Sequence, residues 1–74
     1  MMRIELDENQ GKVLEILRKS KSMPFLELTS VSDFDDELLQ RILDELEKKE
    51  LVKLTNKGNP LEEIIIVRER AFAA

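Results

Sequence analysis

Residues 33–52, DFDDELLQRILDELEKKELV, decide the fold of this 74-residue chain. Apolar residues recur there at three- and four-residue spacing, which predicts a long helix with one continuous buried face. They are Phe34, Leu38, Leu39, Ile42, Leu43 and Leu46. We expect this helix over about residues 33–50, with its cap at Ser32 or Asp33. A β-strand over about residues 51–55 is expected to follow it.

Two shorter helices are predicted on the N-terminal side of this stretch. The segment DENQ at residues 7–10 resembles a capping box with Asp7 as the N-cap. The apolar spacing that follows predicts a first helix over about residues 8–20. Pro24 has the fixed φ of a first helical position, so a second helix is expected over about residues 24–30.

A β-hairpin is predicted on the C-terminal side. Residues 56–60, NKGNP, form its turn, because Gly and Asn accept a positive φ. Residues 61–70 form its second strand, which is β-branched at the centre. Residues 3–6 alternate polar and apolar side chains and add a short N-terminal strand. The sequence therefore predicts a single α+β domain over residues 1–74.

This order of helices and hairpin resembles the winged helix-turn-helix domain superfamily, in particular its small prokaryotic and archaeal members. The resemblance covers residues 8–70 and rests on residues 39–52, which are similar to the family's leucine-rich third helix, charged end and "L-V" opening the wing. It implies a three-helix winged helix with a C-terminal β-hairpin wing. Family members often carry Gly just before the "L-V", as the left-handed residue that ends the helix, whereas Glu50 stands here.

The resemblance implies DNA binding or protein binding, because many unrelated roles share this fold. In the family, the third helix usually enters the major groove and the wing touches the DNA backbone or the minor groove. Other members use the same surfaces to bind proteins or to dimerise. By this comparison Gln40 and Arg41 are the base readers, since Gln pairs with adenine and Arg with guanine.

The charge of the third helix opposes that role. The chain has a net charge of −4, and residues 33–50 hold eight acidic and three basic side chains. Carboxylates beside the base readers repel phosphates, which supply much of the affinity for DNA. Two interpretations of the acids stay open. They stabilise the helix dipole and form i,i+4 ion pairs on a solvated face, or they form a docking surface for a protein partner.

Basic residues outside the third helix are the better candidates for contacts with double-stranded DNA. On the wing they are Lys53, Lys57, Arg68 and Arg70, and after the first helix they are Arg18, Lys19 and Lys21. The alternative is that the wing cations are ordinary surface charges that keep an edge strand soluble.

Four consecutive apolar residues, Ile64, Ile65, Ile66 and Val67, predict that both faces of the second wing strand are covered. Within one chain, the N-terminal strand and Phe72 could provide that cover. Alternatively, these residues and Phe72 form a homodimer or partner interface.

Composition excludes most enzyme chemistry. The chain has no Cys and no His, so it lacks disulfides, the commonest metal ligands and the commonest general base. The acids near residue 33 lack the spacing of a calcium loop, and two glycines leave no phosphate-cradling loop. We expect a non-enzyme with no metal and no cofactor. Its richness in Glu, Lys and Leu is typical of thermophile proteins.

The apolar runs are too short to span a membrane, and the N-terminal residues predict no export signal, so a cytoplasmic protein is expected. The sequence favours a DNA-associated regulator that contacts nucleic acid through the wing rather than the acidic helix. The alternative is a protein-interaction or dimerisation module that does not bind DNA.

Overall fold

The computed structural model describes residues 5–73 of the chain. Within that range the elements are α1 (Glu8–Ser20), β1 (Ser22–Pro24), α2 (Phe25–Ser32), α3 (Asp36–Lys48), β2 (Val52–Thr55), β3 (Ile64–Val67) and α4 (Arg70–Ala73). The α+β class predicted from the sequence is confirmed. None of the helices in the described part of the chain is long and apolar enough to cross a membrane.

The sheet is antiparallel and has the strand order β1-β3-β2. Strand β3 lies in the middle, and Ile66 pairs with Ser22 on one side and with Lys53 on the other. The sequence did not predict β1, because three residues are too few to show a period. Residues 3 and 4 of the predicted N-terminal strand lie outside the described range, and Glu5 and Leu6 are not in a strand.

Helix α3 is shorter at both ends than the predicted span of residues 33–50. Asp35 is its N-cap, and the Asp35 carboxylate accepts a hydrogen bond of 2.8 Å from the Leu38 amide. Asp33 has a φ of 65° and closes α2 in the left-handed conformation, so it cannot belong to α3. Helix α2 correspondingly runs to Ser32, beyond the predicted end at residue 30.

A Schellman motif ends α3. The Leu51 amide donates to the Leu46 carbonyl at 3.0 Å, and the Glu50 amide donates to the Glu47 carbonyl at 2.9 Å. Glu50 has a φ of 61°, the left-handed conformation that Gly usually provides at this position of the motif. Leu46 and Leu51 are both fully buried, which is the apolar contact that accompanies this motif.

The second wing strand is much shorter than the predicted residues 61–70. The loop continues to Glu63, because the Glu62 and Glu63 amides both donate to the Asn59 carbonyl, at 3.0 and 2.8 Å. After β3, Arg70 begins the one-turn helix α4, which the sequence also did not predict.

The core lies between the helices and the inner face of the sheet. Leu39, Ile42, Leu43 and Leu46 of the predicted stripe lie in helix α3 and are buried, whereas Leu38 is half-buried and Phe34, also half-buried, precedes the helix. The other core residues are Val13, Leu14 and Leu17 of α1, Phe25 and Leu28 of α2, Met23, Val52, Leu54, Ile65 and Val67 of the sheet, and Leu51 and Ala71. This packing holds α3 and the wing side by side on one surface.

Candidate nucleic-acid interface

Lys57, the one cation of the loop at residues 56–63, contacts α3. Its Nζ lies 2.9 Å from Asp44 Oδ1 and 3.4 Å from Glu47 Oε1. The hydrogen bond to Asp44 raises the pKa of Lys57, and Glu47 adds to the effect. The lysine predicted to contact DNA therefore pairs with two carboxylates of its own chain.

Gln40 is likewise engaged within the chain. Its Nε2 donates to Asp44 Oδ1 at 3.4 Å and to Glu63 Oε2 at 3.3 Å. Glu63 is only 2% exposed. Burial raises the pKa of Glu63, against the opposing effect of the hydrogen bond from Gln40. The predicted base reader thus links α3 to the end of the wing loop.

Two more of the predicted DNA-contacting cations hold the C-terminal segment. Arg18 donates to the Ala71 carbonyl through Nε at 3.1 Å and through a terminal nitrogen at 2.7 Å. Arg70 pairs with Glu50, the left-handed residue after α3. Both side chains therefore have structural contacts in addition to any surface role.

The remaining predicted cations, Lys19, Lys21, Arg41, Lys53 and Arg68, make no ion pair within residues 5–73. Three of them, Lys21, Lys53 and Arg68, lie at the end of the sheet opposite the loop at residues 56–63. The Lys21 carbonyl accepts from the Val67 amide at 2.7 Å, and the Arg68 amide donates to the Leu51 carbonyl at 2.9 Å.

Lys53 lies in β2 and pairs with Ile66 of β3. Ile66 precedes Arg68 by two residues. We call Lys21, Lys53 and Arg68 the sheet-end cations. All three are exposed.

The predicted i,i+4 ion pairs of α3 do not form. Asp44 pairs with Lys57 instead of Lys48, and Lys48 lies 3.7 Å from Glu45. Lys49 donates to the Glu5 carbonyl and to the Gln10 side chain, both at 2.6 Å, and so joins the end of α3 to the start of α1. Tertiary contacts therefore replaced the predicted local pairs for Asp44 and Lys49, whereas Lys48 keeps a local i,i+3 contact.

The wing strand β3 alternates, contrary to the expectation that both its faces are covered. Ile65 and Val67 are buried in the core and cannot form the predicted partner interface. Ile64 and Ile66 face outward and are 40% and 38% exposed, and Phe72 is also exposed. The two outer isoleucines and Phe72 are the members of the predicted interface that remain accessible within the described residues.

Sequence reasoning missed the roles of Asp44, Glu47 and Glu63. The alternation of side chains along the strand could have revealed Glu63, since residues 63, 65 and 67 face the same side and Ile65 and Val67 face the core. Glu47 carried no comparable signal. Its Oε2 accepts from the Leu54 amide of the edge strand β2 at 3.3 Å, a contact between separate elements.

Helices α2 and α3, followed by a hairpin whose inner face packs on the helices, form the winged helix-turn-helix fold. The chain belongs to that superfamily. No family model matches the chain, and no curated protein sequence matches it.

Solved structures of MarR proteins share the fold. The oxidised form of MarR from E. coli has a TM-score of 0.80 and 29% identity over 93% of this chain. A mutant MarR from E. coli complexed with operator DNA has a TM-score of 0.80 and 26% identity over 93% of this chain. BpsR of Bordetella bronchiseptica, described with regulation of its DNA binding by 6-hydroxynicotinic acid, has a TM-score of 0.82 at 14% identity over 99% of this chain. The chain spans about half of those proteins, at 49%, 50% and 56% of their lengths.

Proposed function

We propose that this chain is a non-enzymatic DNA-binding unit of a transcription regulator, which contacts the duplex backbone through the sheet-end cations and the wing. The likeness to a MarR complexed with operator DNA supports this proposal. The distribution of cations supports this choice of surface. Lys21, Lys53 and Arg68 gather at one end of the wing sheet, whereas α3 holds five acidic and two basic residues.

In this arrangement the phosphate contacts position the protein and α3 contributes little to affinity. Each phosphate neutralised by Lys or Arg releases counterions, so the affinity falls steeply as salt rises. Arg41 lies on the exposed side of α3 and is the residue of that helix best suited to a base edge. Asp36 and Glu37 lie on the first turn of the same helix and limit how closely it approaches phosphates.

Titration against random duplex DNA at several salt concentrations tests this function. We expect binding at low salt, and we expect the double variant K53A/R68A to lower both the affinity and the salt slope. The slope should fall by about 0.9 for each phosphate that the variant no longer neutralises. The matched control is K12A/K48A, which removes two exposed lysines that pair with acids of their own helices.

If the wild-type protein does not bind duplex DNA even at low salt, the proposed function is wrong. If K12A/K48A reduces the affinity as much as K53A/R68A does, the protein binds DNA by net charge alone and the proposed surface is wrong.

A second candidate function is self-association through the outer face of the sheet, and Ile64 and Ile66 favour it because they are exposed side by side on β3. The occupant we infer is a second copy of the chain. A two-fold axis parallel to β3 would place each isoleucine against its own copy. It would also place Lys53 opposite Ser22, since both pair with Ile66, so the two copies of Lys53 would not meet.

This face is small, about 200 Å² from the strand spacings. A stable interface buries about 800 Å² per partner, so we expect a weak dimer that forms only at high concentration. Sedimentation over a range of concentrations should show it, and Ile66→Lys should abolish it. Leu61→Lys is the control, because Leu61 is exposed in the loop and not on this face. A monomer at the highest concentration would rule out this candidate.

A further inference from the structure

The wing loop is fastened to α3 by two carboxylates. Asp44 and Glu47, one turn apart on α3, both contact Lys57, at 2.9 and 3.4 Å. We call Asp44 and Glu47 the acidic clamp. Glu47 also accepts from the Leu54 amide through its other oxygen, so it bridges the edge strand β2 and the loop.

The acidic clamp resembles the surroundings that a phosphate would give Lys57. A DNA phosphate offers anionic oxygens to a lysine at the same hydrogen-bonding distances as these carboxylates. Lys57 is the one cation among loop residues 56–63, and it is already matched by two negative charges. In the clamped state the charge of Lys57 is therefore not available to the phosphates of a duplex.

The clamp is weak enough to be displaced. The Lys57 side chain is about half exposed, and the Asp44 and Glu47 side chains are also accessible to solvent. Ion pairs in such positions contribute little to stability and are screened by salt. The second partner of Asp44, the Gln40 side chain, lies at 3.4 Å and holds it only loosely.

We propose that the acidic clamp is an autoinhibitory contact, in which Asp44 and Glu47 occupy Lys57 and compete with the phosphates of duplex DNA for it. This inference rests on the proposed DNA-binding function. It assigns the carboxylates of α3 a role: they set how readily the wing engages a backbone. DNA binding then requires exchange of Lys57 from the clamp to a phosphate.

A double-mutant cycle tests the inference. The variant D44N/E47Q removes both charges and keeps the side-chain shapes, including an acceptor for the Leu54 amide. It should bind random duplex DNA several-fold more tightly than wild type, because binding no longer requires Lys57 to leave two carboxylates. In the K57A background the same two substitutions should give only the effect of the removed negative charge.

The matched control is D36N/E37Q. It also removes two carboxylates from α3, and neither residue contacts Lys57 among the described residues. The control measures the general benefit of lowering the negative charge of the helix. The inference is supported if D44N/E47Q exceeds the control and the excess disappears in the K57A background.

An excess that persists without Lys57, or no excess at all, overturns the inference while leaving the proposed function intact. If no variant binds duplex DNA at low salt, the proposed function fails and the inference fails with it. Hydrogen exchange provides a readout without DNA: amides of the loop at residues 56–63 should exchange faster in D44N/E47Q than in D36N/E37Q. Equal rates would show that the clamp does not hold the loop, which also overturns the inference.

Discussion

Glu63 is the residue at which charge and packing conflict most directly. Its side chain is almost fully buried beside the core residue Ile65, yet it carries a carboxyl group. Its neighbours on the facing elements are Gln40 and Asp44 of α3 and Lys57 of the loop. Burial raises its pKa above the ordinary 4.5, and the proximity of Asp44 acts in the same direction.

Replacing Glu63 with Gln should increase the free energy of unfolding at pH 7. A raised pKa means that the folded state binds the proton more tightly than the unfolded state. The stability contributed by the protonated group is therefore complete below about pH 4.5 and is lost as the pH rises through the raised value. Urea unfolding from pH 4 to pH 8 should show the two proteins converging at low pH.

Glu62→Gln is the control for this measurement, because Glu62 is the exposed neighbour. If the difference in the free energy of unfolding between wild type and Glu63→Gln does not depend on pH, the raised pKa of Glu63 is not its cause.

Glu50 is the second residue with a local cost. It holds a φ of 61° at the end of α3, where a side chain costs roughly 1 kcal/mol relative to Gly. Glu50→Gly should therefore raise the free energy of unfolding by up to about 1 kcal/mol, less the small contribution of the surface pair with Arg70. Arg70→Ala measures that contribution separately. A Glu50→Gly protein less stable than Arg70→Ala would show that the left-handed conformation carries no such cost.

At the scale of the element, capping fixes where α3 begins. Asp35, rather than Ser32 or Asp33, accepts the Leu38 amide and so sets the first turn at Asp36. Asp35→Ala should lower the free energy of unfolding by about 1 kcal/mol. Asp36→Ala removes a similar charge without the cap and should cost only a few tenths of a kcal/mol, through the helix dipole. Equal losses of stability in thermal or urea unfolding would mean that charge, not capping, stabilises this end.

Helix α3 also shows how one element serves two neighbours. Its apolar stripe packs in the core, while Gln40, Asp44 and Glu47 on its flank contact the wing. These acidic side chains, which would also stabilise an isolated helix, therefore contact a lysine of the loop and a backbone amide of the edge strand. The effect on DNA binding that we propose for them rests on these contacts and not on helix propensity.

At the scale of the whole molecule, one small core supports the fold. A domain of this size is stable by only a few kcal/mol to about 11 kcal/mol. Leu43 is fully buried at the centre of the α3 stripe, and Leu43→Ala should cost about 2–5 kcal/mol, a large share of that stability. Leu61→Ala, in the exposed loop, should change the urea midpoint little. A small decrease in stability for Leu43→Ala would show that the core collapses around the gap.

The sequence by itself determined the elements whose signals are local. The spacing of Leu39, Ile42 and Leu43 requires one buried helix face, and Asp7 caps α1 by accepting from the Gln10 amide at 2.7 Å. Gly58 takes a φ of 93° in the predicted turn. Each of these depends on residues within a few positions, and so the pattern is visible in the chain.

Only the tertiary structure decided which distant groups meet. A three-residue strand such as Ser22–Pro24 is not stable alone, and it exists because β3, some forty residues later, pairs with it. Lys57 could equally have faced solvent, a phosphate or a carboxylate; the packing of α3 beside the loop gave it Asp44. Local patterns fix the three longer helices and the turn, whereas long-range pairing and burial fix β1, the buried state of Glu63 and the acidic clamp.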